Sequence, residues 1–250
     1  MSRINWDTLE DRTYEAGTDR GVLYEFSGNE YISGVPWVGL IEVDCSSSSY
    51  EVEKLYSKGI VSALMANSEE LEGSIKCYSH PEEVDRYMGI SSVGEGIIGI
   101  YSTQQDRRFC GFSYRTMFVE PNSTSSSESY KIHLLYNLLF ENAGYKYKTI
   151  NSNNTSDIEQ TFEFTSVPEV YDDYNPTSEV IINTKKCEPE FIQALETILY
   201  GDAENEPRMP DLDEIASLYG MFTPLPEGSE PYPYEIRYPG NEVYPMTGGE

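Results

Sequence analysis

Apolar and polar positions alternate with a period of two along most of the first 186 residues. In Phe109–Val119, Cys110, Phe112, Tyr114, Thr116 and Phe118 fall on one face. In Tyr130–Phe140 the same parity collects Tyr130, Ile132, Leu134, Tyr136, Leu138 and Phe140, leaving Lys131, His133 and Asn137 opposite with Leu135 and Leu139. In Ile158–Phe164 it sets Ile158, Gln160, Phe162 and Phe164 against Glu159, Thr161 and Glu163. Alternation of β-branched and aromatic residues predicts half-buried strands. Shorter strands are predicted at Val22–Ser27, Val35–Val43, Ile60–Met65, Leu71–Ser79 and Ser178–Thr184. Two serine-rich stretches read as loops: Asn122–Ser129, and one opening at Cys45–Tyr50 and running to Lys58.

The period changes after Cys187. Phe191, Leu195, Ile198 and Leu199 make a helical stripe over Glu188–Tyr200, with Pro189 in the first turn and Gly201 as the stop. Asp211–Tyr219 predicts a second helix, capped by Asp211 with Glu214 three residues on and ended by Gly220. Met221–Glu250 holds six prolines and four tyrosines with no periodicity, the pattern of an extended segment. The expected organisation is a β domain over 1–186, a helical region over 187–220 and an acidic tail over 221–250. The fold class is mainly β, with the two helices late in the chain.

Composition bounds the partners. Asp and Glu number 43 against 17 Lys and Arg, a net charge of -26 on 250 residues. Such a chain repels phosphate backbones and anionic membranes rather than gripping them. The charge is spread: Cys187–Glu250 carries 14 acids against 2 bases, and the preceding region 29 against 15. Its 21 tyrosines and 9 phenylalanines argue for a folded core. The N-terminus has no apolar run, so no signal peptide is expected, and no stretch is long enough to span a membrane. Cys45, Cys77, Cys110 and Cys187 match no metal or redox spacing and are expected as free thiols. The sequons at Asn122 and Asn153 then read as polar loops.

Motifs for catalysis are weak. Gly94–Gly99 fits a dinucleotide-type glycine pattern, but the following residues read as strand, so glycines at a bend or hairpin account for it better. His80 and His133 lack nucleophile or metal partners at recognisable spacing. The acidic pairs Glu69–Glu70, Glu82–Glu83 and Asp172–Asp173 leave an acid-pair hydrolase as one rival reading, and the tyrosines leave a carbohydrate- or receptor-binding virion module as another. No cofactor or metal is expected.

Several short strings, in order, resemble one family. They are Trp6, Arg12, Tyr14–Glu15, Gly17 and Asp19–Tyr24; then Gly34–Leu40 and Tyr78–Glu83; then Gln105–Arg107, Phe109–Thr116, Tyr130–Asn137 and Tyr147–Asn151. Pro176–Thr177 ahead of Glu179–Thr184, and the Leu195–Gly201 and Pro207–Ile215 regions, complete the set. The chain in this respect resembles the major tail tube proteins of long, non-contractile-tailed bacteriophages. The resemblance implies a β-sandwich subunit with a flanking helix, stacked hexameric rings, and a lumen through which double-stranded DNA passes without specific binding. It further implies contacts with tape-measure, tail-tip and terminator proteins, a place in the virion tail after assembly in the host cytoplasm, and no catalytic residue. Within it, Glu159 and Glu163 are expected to face the lumen. Cys45, Ser46, Ser47, Ser48, Ser49 and Tyr50, on to Lys58, are expected to form the loop between rings.

Overall fold

A computed structural model describes residues 14–47, 52–57, 60–66, 70–94, 97, 99–119, 129–141, 159–171 and 175–222. The chain is mainly β, as its alternation predicts. The strands are β1 (Tyr14–Ser27), β2 (Glu30–Pro36), β3 (Leu40–Ser47), β4 (Val52–Ser57), β5 (Ile60–Ala66) and β6 (Leu71–Cys77). A short helix α1 (Val84–Tyr87) follows, then β7 (Ser91–Ser92), β8 (Tyr101–Ser102), β9 (Cys110–Val119), β10 (Tyr130–Phe140), β11 (Gln160–Ser166) and β12 (Glu179–Asn183). Helices α2 (Pro189–Tyr200) and α3 (Leu212–Phe222) close the described chain.

One antiparallel sheet runs β2-β1-β9-β10-β11-β6-β3, with β12 also paired to β10. Its centre is buried on both faces. Leu23, Cys110, Phe112, Tyr114, Leu135, Leu138 and Phe140 meet Trp37, Ile75, Phe162 and Phe164, because β11-β6-β3 folds back over the central strands. On the opposite face Val22, Tyr24, Ile132, Leu134 and Tyr136 pack under Phe191, Ile192, Leu195 and Leu199 of α2 and Ile215 of α3. The result is a helix layer, a central sheet and a second sheet layer. The sheet does not close on itself.

The alternation read for β10 holds only as far as Tyr136. Leu138 and Phe140 lie in the core opposite to Ile132, Leu134 and Tyr136. The cause is a bulge at Asn137, whose φ of 50° is left-handed and across which the β9 register shifts. Tyr31 fixes it: its hydroxyl donates to Asn137 Oδ1 at 2.9 Å and accepts from the Asn137 N–H at 3.1 Å. At this residue β10 also changes partner. Lys131–Leu135 pair with β12, and Leu138–Phe140 pair with β11. The sheet therefore forks at Asn137.

Other boundaries move for local reasons. Val35–Val43 is not one strand, because Pro36 ends β2 and Gly39, at φ 88°, turns the chain into β3. A Cβ on Gly39 would lie 2.6 Å from Ser79 Oγ. The serine-rich loop expected from Cys45 is a correction: Cys45–Ser47 finish β3, and Val52–Ser57 pair with Ile60–Ala66 as the β4–β5 hairpin. The β-rich ladder to β6 thus outweighs the turn preference of serine. Ile158 and the 122–128 stretch lie outside the described residues. Gly94–Gly99 connects the paired β7 and β8, as a hairpin reading expects.

Both late helices form. Gly201 ends α2 at φ 73°, and Asp211 Oδ1 accepts from the Glu214 N–H at 2.7 Å as the cap of α3. α3 continues past Gly220 to Phe222, since one glycine weakens a helix without stopping it. Tyrosines dock this layer. Tyr24 donates to the Leu199 carbonyl at 2.9 Å, and Tyr136 to the Pro210 carbonyl at 2.9 Å. All four cysteines are free, Cys77 and Cys110 being buried.

Candidate functional surface

The outer face of β11-β6-β3 is the most distinctive surface. Phe162, Phe164, Ile75 and Cys77 turn inward, so strand alternation turns their neighbours out. Pairing aligns these neighbours in rows: Thr161, Lys76 and Glu42; Glu163, Ser74 and Asp44; Thr165, Glu72 and Ser46. No residue in these rows is apolar. Glu42, Asp44, Glu72 and Glu163 are exposed carboxylates, and exposed Glu159 extends them beyond the start of β11. The one base, Lys76, is tied to Glu42 at 2.6 Å. Of the expected lumen residues, Glu159 and Glu163 are thus both on this wall. Glu42, Asp44 and Glu72, which the sequence reading missed, join them.

Of the expected inter-ring residues, Cys45, Ser46 and Ser47 are in β3, with Ser46 on the acidic face and Cys45 turned toward the core. Ser48, Ser49, Tyr50 and Lys58 lie outside the described residues. The β3 edge away from β6 and the β12 edge away from β10 carry no strand among the described residues. The edge of β2 is covered, because Gly34 N–H donates to the Pro207 carbonyl at 2.9 Å and Met209 N–H to the Tyr31 carbonyl at 3.0 Å.

Two polar clusters flank the central strands. Arg115, buried on the helix side of β9, grips Asp19 with two hydrogen bonds of 2.9 and 2.7 Å. It also approaches Glu196 at 3.5 Å and stacks over Tyr130. On the other side, His133 and Thr116 line a cleft of about 540 Å³ between β1 and β3. His133 Nδ1 is 2.8 Å from Glu179 and Nε2 is 3.0 Å from Thr116. Sequence spacing offered no sign of these partners, since they arrive from two other strands.

Among the described residues the acidic pairs are not brought together: Glu70 and the Glu82–Glu83 pair line separate clefts. Glu82 and Glu83 are exposed on a cleft of about 650 Å³ beside Arg86 and Arg108, and Tyr101 donates to Glu82 at 2.6 Å. Asp172, Asp173 and Glu69 lie outside the described residues. His80 meets Gln160 at 2.8 Å and Asp85 at 3.4 Å. Among the described residues no group of His, Cys, Asp and Glu is placed to hold a metal ion, and no helix is long and apolar enough to cross a membrane.

Glu169 is half-buried, with Tyr31 Oη 3.5 Å from its carboxylate. Burial lifts its carboxyl above the ordinary 4.5, and the charge of Asp211 adds to this, against hydrogen bonding from Tyr171 and Tyr31. A carboxyl raised in the folded state costs nothing at low pH, where both states are protonated. It costs stability as pH rises through 4.5 toward the raised value, and that loss persists above it. Glu169→Gln is therefore expected to melt higher than the parent at pH 7, with the gain vanishing below about pH 4. Paired thermal melts across this range check it.

Comparison with protein-family models finds no match, and comparison with curated proteins finds none either.

Proposed function

We propose that the chain is a structural subunit of a bacteriophage tail tube, built as stacked hexameric rings around an acidic lumen that conducts double-stranded DNA. The observation that carries this reading is the all-polar wall of Glu42, Asp44, Glu72 and Glu163, backed by a continuous core. A solvated acidic sheet face repels a polyanion and offers it no apolar foothold. The ordered strings that resemble tail tube proteins supply the rest, and the edges of β3 and β12 that no described strand covers suit strand pairing between copies. The partners are copies of itself and the other tail proteins, and the place of action is the virion tail.

The test is electron microscopy of the purified full chain at rising concentration. Rings and tubes with the β11-β6-β3 face inward are expected. A particle that stays monomeric, or rings with that face outward, overturns the reading. A sugar-binding module is less supported, because Tyr24, Tyr31, Tyr114 and Tyr136 are spent inside the core.

A further inference from the structure

His133 is 7% exposed, so its hydrogen bonds must come mainly from the protein. Groups reach it from every neighbouring element. Glu15 comes from β1, Tyr114 and Thr116 from β9 and Glu179 from β12, with Lys131 of β10 on Glu15; Cys45 of β3 lines the same cleft, which Glu42 and Asp44 also border.

Three contacts around the ring each need one hydrogen. His133 Nδ1 to Glu179 Oε1 is 2.8 Å, His133 Nε2 to Thr116 Oγ1 is 3.0 Å, and the Thr116 hydroxyl donates to Glu15 Oε1. Ionised carboxylates bring no hydrogen and Thr116 brings one. A neutral imidazole adds one, leaving a contact empty; an imidazolium adds two and fills all three. Glu15 does not supply the missing hydrogen. Burial works the other way, but hydrogen bonds from Lys131 and Thr116, with the charge of Lys131, hold its carboxyl below the ordinary value. Cys45 is no competing charge, since burial pushes its thiol up to about 11. The Tyr114 ring lies flat against His133, centroids 4.6 Å apart at 10°, a face that favours a cation.

We infer that His133 is a charged double donor that ties β12 to the N-terminal end of β1, and that the tie opens when the ring's second proton leaves. One proton thus completes a side-chain chain from β12 through β10 and β9 to β1, beside their backbone ladders. This rests on the cluster alone and stands or falls apart from the tube reading.

The experiment is imidazole ¹⁵N spectroscopy of the labelled full chain at pH 7, with the His133 signals assigned by their loss in His133→Gln. Two protonated ring nitrogens are expected; one bare nitrogen overturns the inference. In Glu179→Gln the side-chain amide can donate to a bare Nδ1, so the ring is expected to become neutral at the same pH. A ring that stays doubly protonated there counts against the tie. In His133→Phe, which keeps the stacked ring and removes the donors, amide exchange at Ile181 and Ile182 is expected to quicken about tenfold. Unchanged exchange overturns the mechanical part, and the spectrum of the parent protein remains decisive if that variant does not fold.

Discussion

Gly73→Ala is expected to cost about 3 kcal/mol or more and to detach β3 from β6. Gly73 is central in β6, opposite Cys45 on one side and Phe164 on the other. An added Cβ would lie 2.3 Å from the Asp44 carbonyl oxygen and 2.6 Å from Phe164 Cζ. Neither can yield cheaply. The carbonyl belongs to the β3 backbone, and Phe164 is 1% exposed, packed at 6.2 Å centroid distance on Phe140. A stability of about 5–15 kcal/mol, typical for a domain of ordinary size, leaves little to spare for such a loss. Urea unfolding measures it, and amide exchange along Leu40–Ser47 should show the local release. Gly220→Ala is the control. Nothing lies within 4 Å of its new methyl, and a helix gains about 0.5–1 kcal/mol from the same change. Equal effects at the two sites would refute the steric argument.

Asp19→Ala is expected to destabilise more than Arg115→Met, although Asp19 is the more exposed partner. The Arg115 side chain is 8% exposed and that of Asp19 44%. Burial disfavours the guanidinium charge, and the hydrogen bonds and charge of Asp19 more than restore it. Removing Asp19 strands a buried cation with Glu196 alone, at 3.5 Å. Losing one partner of a buried pair costs about 3–5 kcal/mol, and the lower end applies because Glu196 remains. Removing Arg115 strands only carboxylates that reach water and loses the Tyr130 stack, so about 1–2 kcal/mol is expected. In the double variant the orphaned charge is gone, so most of the Asp19→Ala penalty should return. A double-mutant cycle by urea unfolding checks both the order and the recovery. Additive penalties would show that the pair is not coupled.

Local pattern was enough for β9, α2 and α3 and for the extent of β10, because each is long and strongly periodic. It failed where a single residue changes parity. Asn137 looks like any polar strand position, and what turns it into a bulge is a hydroxyl from Tyr31, far away in the chain. Val35–Val43 failed similarly, for its apolar run conceals a turn set by Pro36 and Gly39. On the acidic wall, Glu159 and Glu163 were legible because they alternate with Phe162 and Phe164 along β11 and the residues just before it. Glu42, Asp44 and Glu72 were not, since β3 and β6 are short and their facing depends on β11 for register. The His133 cluster lay beyond any spacing rule, as Glu15, Thr116 and Glu179 are brought together only by strand order.

The fork at Asn137 has a mechanical meaning. Force applied to β3, for instance by a neighbour pulling on its edge, passes through β6 and β11 before entering β10. It enters along the pairs Leu138 to Ser166, Leu139 to Thr165 and Phe140 to Phe164, which the hydrogen bonds Glu141 N–H to Glu163 O and Val167 N–H to Asn137 O extend. The helix-bearing half hangs from the other arm of the same strand, beyond the bulge. Asn137 is thus the point on one strand at which the ladder toward the acidic wall gives way to the ladder toward β12.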